Sequence, residues 1–215
     1  MQTSILVIGL GRFGSAAARE LMALGHQVMA VDTSEAIVNE IAPEVTHAVQ
    51  LDAADEAALR AIGAGDFEHA IVAISGGIEA SVFATMALKT LGVRNVIAKA
   101  GNPLHGAILE RVGANRVVYP EREMGEQVAH SFRVGNVIDY LDVAPRFGLL
   151  KVRPPASFVG HALGELDMVG SHRVTPLALR RGEDVVVNPT ATEVVRADDE
   201  LILIGRDEDL EALGE

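Results

Sequence analysis

The sequence contains no cysteine and no tryptophan, and aromatic residues make up only 4% of it. Without thiols the chain has no disulfide, no thiolate nucleophile and no zinc–thiolate centre, a composition that fits a reducing cytosol. Cations are also scarce, because 18 Lys and Arg stand against 30 Asp and Glu and give a net charge of −12. This balance argues against nucleic acid as a partner, since binding to a phosphate backbone needs clustered cations.

Long hydrophobic runs are missing too. The apolar run at residues 5–8 lacks the basic start and the length of a signal peptide, and no run reaches the ~18 residues of a membrane-spanning helix. The sequence has neither a P-loop motif nor an H-E-x-x-H motif, and its seven histidines show no metal-ligand spacing. We therefore expect a protein without a transmembrane helix, without P-loop chemistry and without a histidine metal centre.

Apolar residues, at 49% of the 215 residues, are ample for a packed core. Short apolar runs predict strands at 5–8, 27–31, 47–51, 70–74, 95–98 and 116–118. Helical patterns lie between them at 13–24, 34–41, 56–62, 79–91 and 104–112. Strands that are apolar throughout and alternate with helices indicate a parallel sheet that is covered on both faces. We predict an α/β fold with a Rossmann-like, doubly wound parallel sheet.

The pattern changes after residue 120. One more helix is predicted at 121–132, and five prolines then separate short strand-like runs at 149–152, 174–179, 185–187 and 201–204. Two short helices are expected at 159–166 and 208–213. This indicates a first domain over residues 1–133, which includes the helix, and a small α+β C-terminal domain over residues 134–215.

A glycine-rich motif directly follows the first predicted strand and begins a helix. It reads Gly9-Leu10-Gly11-Arg12-Phe13-Gly14, a G-x-G-x-x-G in the context that makes this pattern informative. Gly9 would permit a tight turn, Gly11 the close approach of a phosphate, and Gly14 the packing of helix against sheet. Phosphates would then meet the free N–H groups at the helix N-terminus. The alternative is a glycine-rich turn that binds nothing.

Polar residues follow the next three strands, where ligands of doubly wound sheets bind. Asp32 can accept hydrogen bonds from two ribose hydroxyls and would repel a 2′-phosphate, although it could also cap the next helix. Asp52 can reach adenine or ribose, or can serve as a helix cap. Ala53 follows it, and Ser75-Gly76 lie after the fourth strand.

Arg12 lies inside the glycine motif, where a guanidinium could contact the terminal phosphate of a nucleotide, including one held by a neighbouring subunit. A solvated surface arginine is the alternative. The nucleotide-binding set that we expect also contains Phe13, Ser34 and Lys99. Nothing outside this domain resembles an acid–base pair, so the residues alone favour a binding protein over an enzyme. An NAD-dependent oxidoreductase with a small substrate domain remains one alternative, and a stand-alone nucleotide sensor with another partner is a second.

Short motifs follow one another along nearly the whole chain. In the first domain they occupy residues 7–14, 31–32, 51–53 and 118–121. In the remainder they occupy residues 159–166, 179–182, 188–189 and 198–205. This ordered set resembles the RCK (regulator of K⁺ conductance) family, with its TrkA-N and TrkA-C domains. The chain is most similar to the single-copy regulatory subunits of Trk/Ktr-type potassium uptake systems.

The resemblance implies a non-enzymatic gating subunit on the inner face of the cell membrane. Homodimers would assemble into an octameric ring on a membrane subunit that translocates potassium. The first domain would bind ATP or ADP, or NAD(H), with Arg12 on the γ-phosphate. Glu121 would help to hold Mg²⁺ or Ca²⁺ between paired subunits, unless it is simply an acid favoured at a helix N-terminus. Arg181, Asn188 and Pro189 would contact cyclic di-AMP.

Overall fold

A computed structural model of the chain describes residues 2–131 and 137–214. Contacts between residues divide the chain into two units, Met1–Glu121 and Arg122–Glu215, called unit 1 and unit 2 below. The predicted domain boundary between residues 133 and 134, like the predicted last residue of the helix at 121–132, lies outside the described residues. Each unit is therefore described by itself.

Unit 1 contains a six-stranded sheet in the order β3-β2-β1-β4-β5-β6, and all of its neighbouring strands are parallel. The strands are β1 Ser4–Ile8, β2 Gln27–Asp32, β3 His47–Gln50, β4 His69–Val72, β5 Asn95–Lys99 and β6 Arg116–Val118. From β1 the chain adds β2 and β3 on one side of the sheet and then β4, β5 and β6 on the other side. This change of side creates a topological switch point at the carboxyl ends of β1 and β4.

Helices cover both faces of this sheet. They are α1 Arg12–Ala23, α2 Glu35–Ile41, α3 Glu56–Ala61, α4 Ile78–Thr90 and α5 Pro103–Arg111. Ile5 and Val7 of β1 pack in one core with side chains of α1 and α2, whereas Leu6 and Ile8 pack in a second core with side chains of α3, α4 and α5. Successive strand residues point to opposite faces, so an all-apolar strand requires cover on both. The predicted doubly wound α/β fold is confirmed.

Unit 2 contains most of helix α6, Pro120–Ser131, and a five-stranded antiparallel sheet in the order β10-β9-β11-β8-β7. Its strands are β7 Val137–Ala144, β8 Phe147–Val152, β9 Val174–Arg181, β10 Asp184–Val187 and β11 Asp199–Arg206, and helix α7 spans Asp207–Glu211. The predicted small α+β domain is thus confirmed. Among the described helices of both units, none has the length and apolarity needed to cross a bilayer.

The structure corrects two details of the sequence prediction in unit 2. The predicted helix at 159–166 is wrong, because these residues form turns. Gly160 has a φ of +88°, a left-handed conformation that interrupts a helix, and the backbone N–H groups of Gly160 and Leu163 donate to the carbonyls of Val195 and Glu193. Strand β7 was not predicted, because acidic residues interrupt its apolar pattern and only Tyr140 is buried in it.

Candidate functional site

A crevice of about 400 Å³ lies at the carboxyl ends of the strands in unit 1. Its walls are the turn after β1, the residues at the ends of β2 and β3, and the loop after β4. This is the position at which open α/β sheets bind ligands. We call it the first crevice. The predicted site residues that line it are Gly9, Gly11, Asp32, Asp52, Ala53, Ser75 and Gly76.

The glycine turn has a geometry that side chains do not fit. Gly9 has a φ of +88°, and a Cβ there would lie 2.8 Å from the backbone nitrogen of Ile74. A Cβ on Gly14 would overlap the carbonyl oxygen of Gly9 and approach the Cβ of Ala73 to 3.1 Å. Gly11 is the N-cap of α1 and provides no side-chain cap. The turn therefore packs α1 tightly against the sheet and leaves the positive end of the helix open.

Asp32, the last residue of β2, joins the glycine turn to the start of α2. One carboxylate oxygen accepts the backbone N–H of Leu10 at 2.7 Å, and the other accepts that of Ser34 at 2.9 Å. Ser34 is the N-cap of α2, but its own side chain makes no capping hydrogen bond. A carboxylate has about four acceptor sites, so two remain for a ligand. The alternative that Asp32 caps α2 is therefore wrong, because Ser34 is the N-cap, but the bridge that Asp32 makes is compatible with ligand binding.

Asp52, which follows β3, also lines the first crevice. One of its carboxylate oxygens accepts the backbone N–H of Ala54 at 2.9 Å. The N-cap of α3 is Asp55, whose side chain accepts the N–H groups of Ala57 and Ala58. The alternative that Asp52 caps this helix is therefore wrong.

Four predicted residues near the turn do not line the first crevice. Arg12 is the first residue of α1 and is exposed, whereas Phe13 is half-buried, Gly14 is buried within the helix packing and Ser34 is half-buried at the start of α2. Arg12 is thus placed beside the first crevice with its side chain in solvent.

A second crevice, of about 420 Å³, shares the loop at residues 74–77 with the first. Lys99 at the end of β5 lines it and is only 7% exposed. The Lys99 ammonium donates to Ser75 Oγ at 3.1 Å and to Glu121 Oε1 at 2.5 Å. The hydrogen bond from Lys99 and, to a smaller extent, the charge of Arg12 lower the pKa of Glu121. Three predicted site residues, Ser75, Lys99 and Glu121, therefore meet here.

His105 also lines the second crevice, and it was not among the predicted site residues. Its Nδ1 accepts the N–H of Gly101 at 3.3 Å, so Nε2 carries the proton and donates to Ser81 Oγ at 2.7 Å. Ser81 Oγ in turn donates to the carbonyl of Ile78 at 2.9 Å. Burial lowers the pKa of His105, because it disfavours the charged imidazolium. Its sequence spacing does not distinguish it from the other six histidines.

One chain does not supply the donors for the cation that was predicted at Glu121. Within residues 2–131 and 137–214, no three His, Asp or Glu side chains form a group that could hold a metal ion. The Glu121 carboxylate is bound by Lys99, and Mg²⁺ and Ca²⁺ require about six or more oxygen ligands. The side chains of this chain alone therefore do not fit a divalent cation at this position.

Arg181 in unit 2 is held by carboxylates of its own chain. Its Nε and Nη2 donate to the two oxygens of Asp199 at 2.8 and 3.0 Å, and its Nη1 donates to Glu193 at 3.3 Å. Burial of Asp199 disfavours its charged form, but the hydrogen bonds from Arg181 and from the N–H of Arg196 outweigh this and lower its pKa. The hydrogen bond with Asp199 likewise raises the pKa of Arg181. Arg181 thus stabilises unit 2.

Asn188 and Pro189 lie at the other end of the β9–β10 hairpin from Arg181. Arg181 pairs with Asp184 beside the hairpin turn, whereas the N–H of Asn188 donates to the carbonyl of Leu177 at 2.9 Å. Four residues of strand separate positions 177 and 181, about 13 Å at ~3.3 Å per residue. Within one chain, the three residues predicted for cyclic di-AMP are thus spread along the length of this hairpin.

A parallel sheet with a glycine turn at its switch point, followed by a small antiparallel domain, defines a Rossmann-like ligand-binding protein with a C-terminal accessory domain. Comparison with family models is more specific: residues 5–120 match the TrkA-N domain, and residues 149–215 match the TrkA-C domain. The chain therefore belongs to the family defined by the TrkA-N and TrkA-C domains. This confirms the family resemblance found in the sequence.

Two relatives match along almost their full lengths. The chain is 40% identical over 205 residues to Ktr system potassium uptake protein C of Bacillus subtilis (strain 168), a match that covers 95% of this chain and 93% of the relative. It is 35% identical to Ktr system potassium uptake protein A of the same organism, over 95% and 92% of the two chains.

A solved structure, the GsuK channel bound to NAD, superimposes with a TM-score of 0.69 over 99% of this chain. The match covers 39% of the GsuK chain, so this protein spans about two fifths of its length. At 18% identity the likeness shows the fold alone.

Proposed function

We propose that this chain is a regulatory subunit of a Ktr-type potassium uptake system, in which an adenine nucleotide in the first crevice controls a membrane subunit that translocates potassium. The observation that carries the proposal is the glycine turn with Asp32 at the switch point, in a chain 40% identical to a Ktr system potassium uptake protein over 95% of its length. The subunit would act in the cytoplasm, on the inner face of the membrane.

The geometry of the first crevice is suited to a nucleotide. Asp32 would accept hydrogen bonds from the ribose hydroxyls, and Asp52 would contact adenine or ribose. The first turn of α1 has neither a side-chain cap nor an acidic residue, so its N–H groups would bind phosphates. Arg12, exposed at the first position of α1, would contact the terminal phosphate.

ATP, ADP and NAD(H) share the adenosine and phosphate groups that this crevice would recognise. The NAD-bound GsuK structure, which has the same fold, supports an adenine nucleotide as the class of ligand. NADP is disfavoured, because the Asp32 carboxylate would repel its 2′-phosphate. Phe13, Ser34 and Lys99 complete the proposed nucleotide-binding set, together with the glycines of the turn and with Ala53, Ser75 and Gly76.

Gating requires no chemical reaction in this scheme. A nucleotide shifts an assembly between two states only by binding one state better than the other. We propose that copies of the chain pair and form an octameric ring, and that the terminal phosphate of ATP, contacted by Arg12, favours one ring geometry. A cation at Glu121 and cyclic di-AMP near Arg181, Asn188 and Pro189 would each need groups from a second copy.

The test combines binding with transport. Isothermal titration should show that the purified chain binds ATP, ADP or NADH, and reconstitution with a Ktr membrane subunit in liposomes should give K⁺ flux that differs between ATP and ADP. A chain that binds no adenine nucleotide, or flux that is indifferent to the nucleotide, would overturn the proposal. Oxidation of NADH with a small carbonyl compound would instead support the oxidoreductase alternative.

A further inference from the structure

The ammonium of Lys99 lies between the glycine turn and the beginning of α6. A Cβ built on Gly11 would lie 4.0 Å from Ser75 Oγ. Ser75 Oγ is 3.1 Å from Lys99 Nζ, which is 2.5 Å from Glu121 Oε1. Phosphates at the N-terminus of α1 would therefore lie close to the cation that now binds Glu121.

The two partners of this ion pair differ in their exposure. The side chain of Lys99 is 9% exposed, whereas that of Glu121 is 70% exposed. A buried ammonium needs a counter-charge, because an unpaired buried charge is strongly unfavourable. An exposed carboxylate needs none, since water solvates it. Lys99 therefore requires an anion, and Glu121 can be replaced by another one.

We propose that Lys99 is a shared counter-ion: the phosphates of a bound nucleotide take over its ammonium, and Glu121 is released. The inference rests on the proposed function, since it needs a nucleotide in the first crevice. Glu121 is the second residue of α6, and the rest of that helix belongs to unit 2. The exchange would thus change the charge and the contacts at the point where the chain leaves the nucleotide-binding unit.

A simpler alternative is that Glu121 only repels phosphates through space. Both schemes predict tighter binding of ADP when Glu121 loses its charge. They differ in what Lys99 contributes, because competition for an ammonium disappears when the ammonium is absent, whereas repulsion by Glu121 does not. A double-mutant cycle therefore separates them.

The experiment measures affinities for ADP and adenosine by titration calorimetry in EDTA, so that no divalent cation takes part. Glu121→Gln should bind ADP at least about two- to fivefold more tightly, because that is the range for a fully exposed ion pair and Lys99 is buried, with adenosine unchanged. Lys99→Met, which keeps an apolar stem in the buried position, should weaken ADP binding, and adding Glu121→Gln to it should give no gain. Glu126→Gln, on the same helix, is the matched control and should leave both affinities unchanged.

A gain from Glu121→Gln that persists in the Lys99→Met background would overturn the shared counter-ion, and so would the absence of any gain. If the wild type binds neither adenosine nor ADP, the proposed function fails instead. Should Lys99→Met fail to fold, hydrogen exchange of the wild type provides the test. ADP should then speed hydrogen exchange of the amides in the second turn of α6, which donate to the carbonyls of the first turn. The Glu121→Gln variant should exchange fast without ADP, and an unchanged wild-type rate would refute the shared counter-ion.

Discussion

Replacing Arg181 by Met should destabilise unit 2 by about 3 kcal/mol. Removing one partner of a buried ion pair costs about 3–5 kcal/mol, because the other charge is left without compensation. We expect the lower end of that range. The Arg181 side chain is 21% exposed, so water can reach the space that the guanidinium leaves. Asp199 also keeps the hydrogen bond that it accepts from the N–H of Arg196 at 2.8 Å.

The cost of this substitution should depend on pH with a definite sign. In the wild type, the ion pair contributes fully above the ordinary Asp pKa of about 3.9, and its contribution is lost as the pH falls through the lowered pKa of Asp199. In Arg181→Met, burial without a cation raises the pKa of Asp199 instead. Acidification from about pH 7 to about pH 5 should then neutralise the carboxylate and recover part of the lost stability.

Hydrogen exchange of the amides in β11, which pairs with both β8 and β9, measures this local stability without interference from the unfolding of unit 1. A loss of about 3 kcal/mol corresponds to exchange that is about a hundredfold faster. Arg180→Met is the matched control, because Arg180 and its partner Glu200 are 44% and 24% exposed and should lose less than about 1 kcal/mol. An equally small cost at Arg181, or a cost that does not change with pH, would refute the reasoning.

Three further substitutions test the proposed nucleotide site by calorimetry and thermal unfolding. Arg12→Ala should weaken ATP about tenfold, the scale of one charge-assisted hydrogen bond, and leave ADP nearly unchanged; equal losses would remove Arg12 from the terminal phosphate. Asp32→Asn should weaken ATP, ADP and adenosine alike by about tenfold or more, because its amide N–H₂ must face a backbone donor; undiminished adenosine binding would place the ribose elsewhere. Gly14→Ala should lower the melting temperature and impair binding of every nucleotide, since its Cβ would overlap the Gly9 carbonyl oxygen; a wild-type melting curve would contradict this geometry.

The parallel sheet of unit 1 could be predicted because its strands are short, apolar throughout and separated by helical patterns. Strand β1 has Ile5 and Val7 in one core and Leu6 and Ile8 in another. It therefore has no polar face, and its residues form an uninterrupted apolar run in the sequence. The predicted site residues at strand ends followed from the same topology, because the carboxyl ends of parallel strands share one edge.

The errors arose where periodicity was ambiguous. Val159, Leu163 and Leu166 have helical spacing, but Phe158 and Leu163 are buried in the core of unit 2 from a chain of turns, and Gly160 has a positive φ. Helical spacing places apolar residues on one side of a segment, and a tightly turning loop can do the same.

The convergence of Lys99, Ser75 and Glu121 could not be predicted from spacing. These residues end or follow three different elements, β5, β4 and β6, and only the strand order β4-β5-β6 brings them together. Each residue was predicted separately as a ligand of a nucleotide or a cation. The ion pair between Lys99 and Glu121 arises only from the tertiary structure.

The bridge that Asp32 makes between the glycine turn and α2 uses only groups of the protein itself. A nucleotide would therefore meet a preorganised cradle and would lose little of its binding energy to ordering the protein. Affinity differences among related ligands of a preformed site lie mainly in dissociation rates. Such a subunit would then distinguish one adenine nucleotide from another by its residence time. The nucleotide that dissociates more slowly would keep the assembly for longer in the state that it favours.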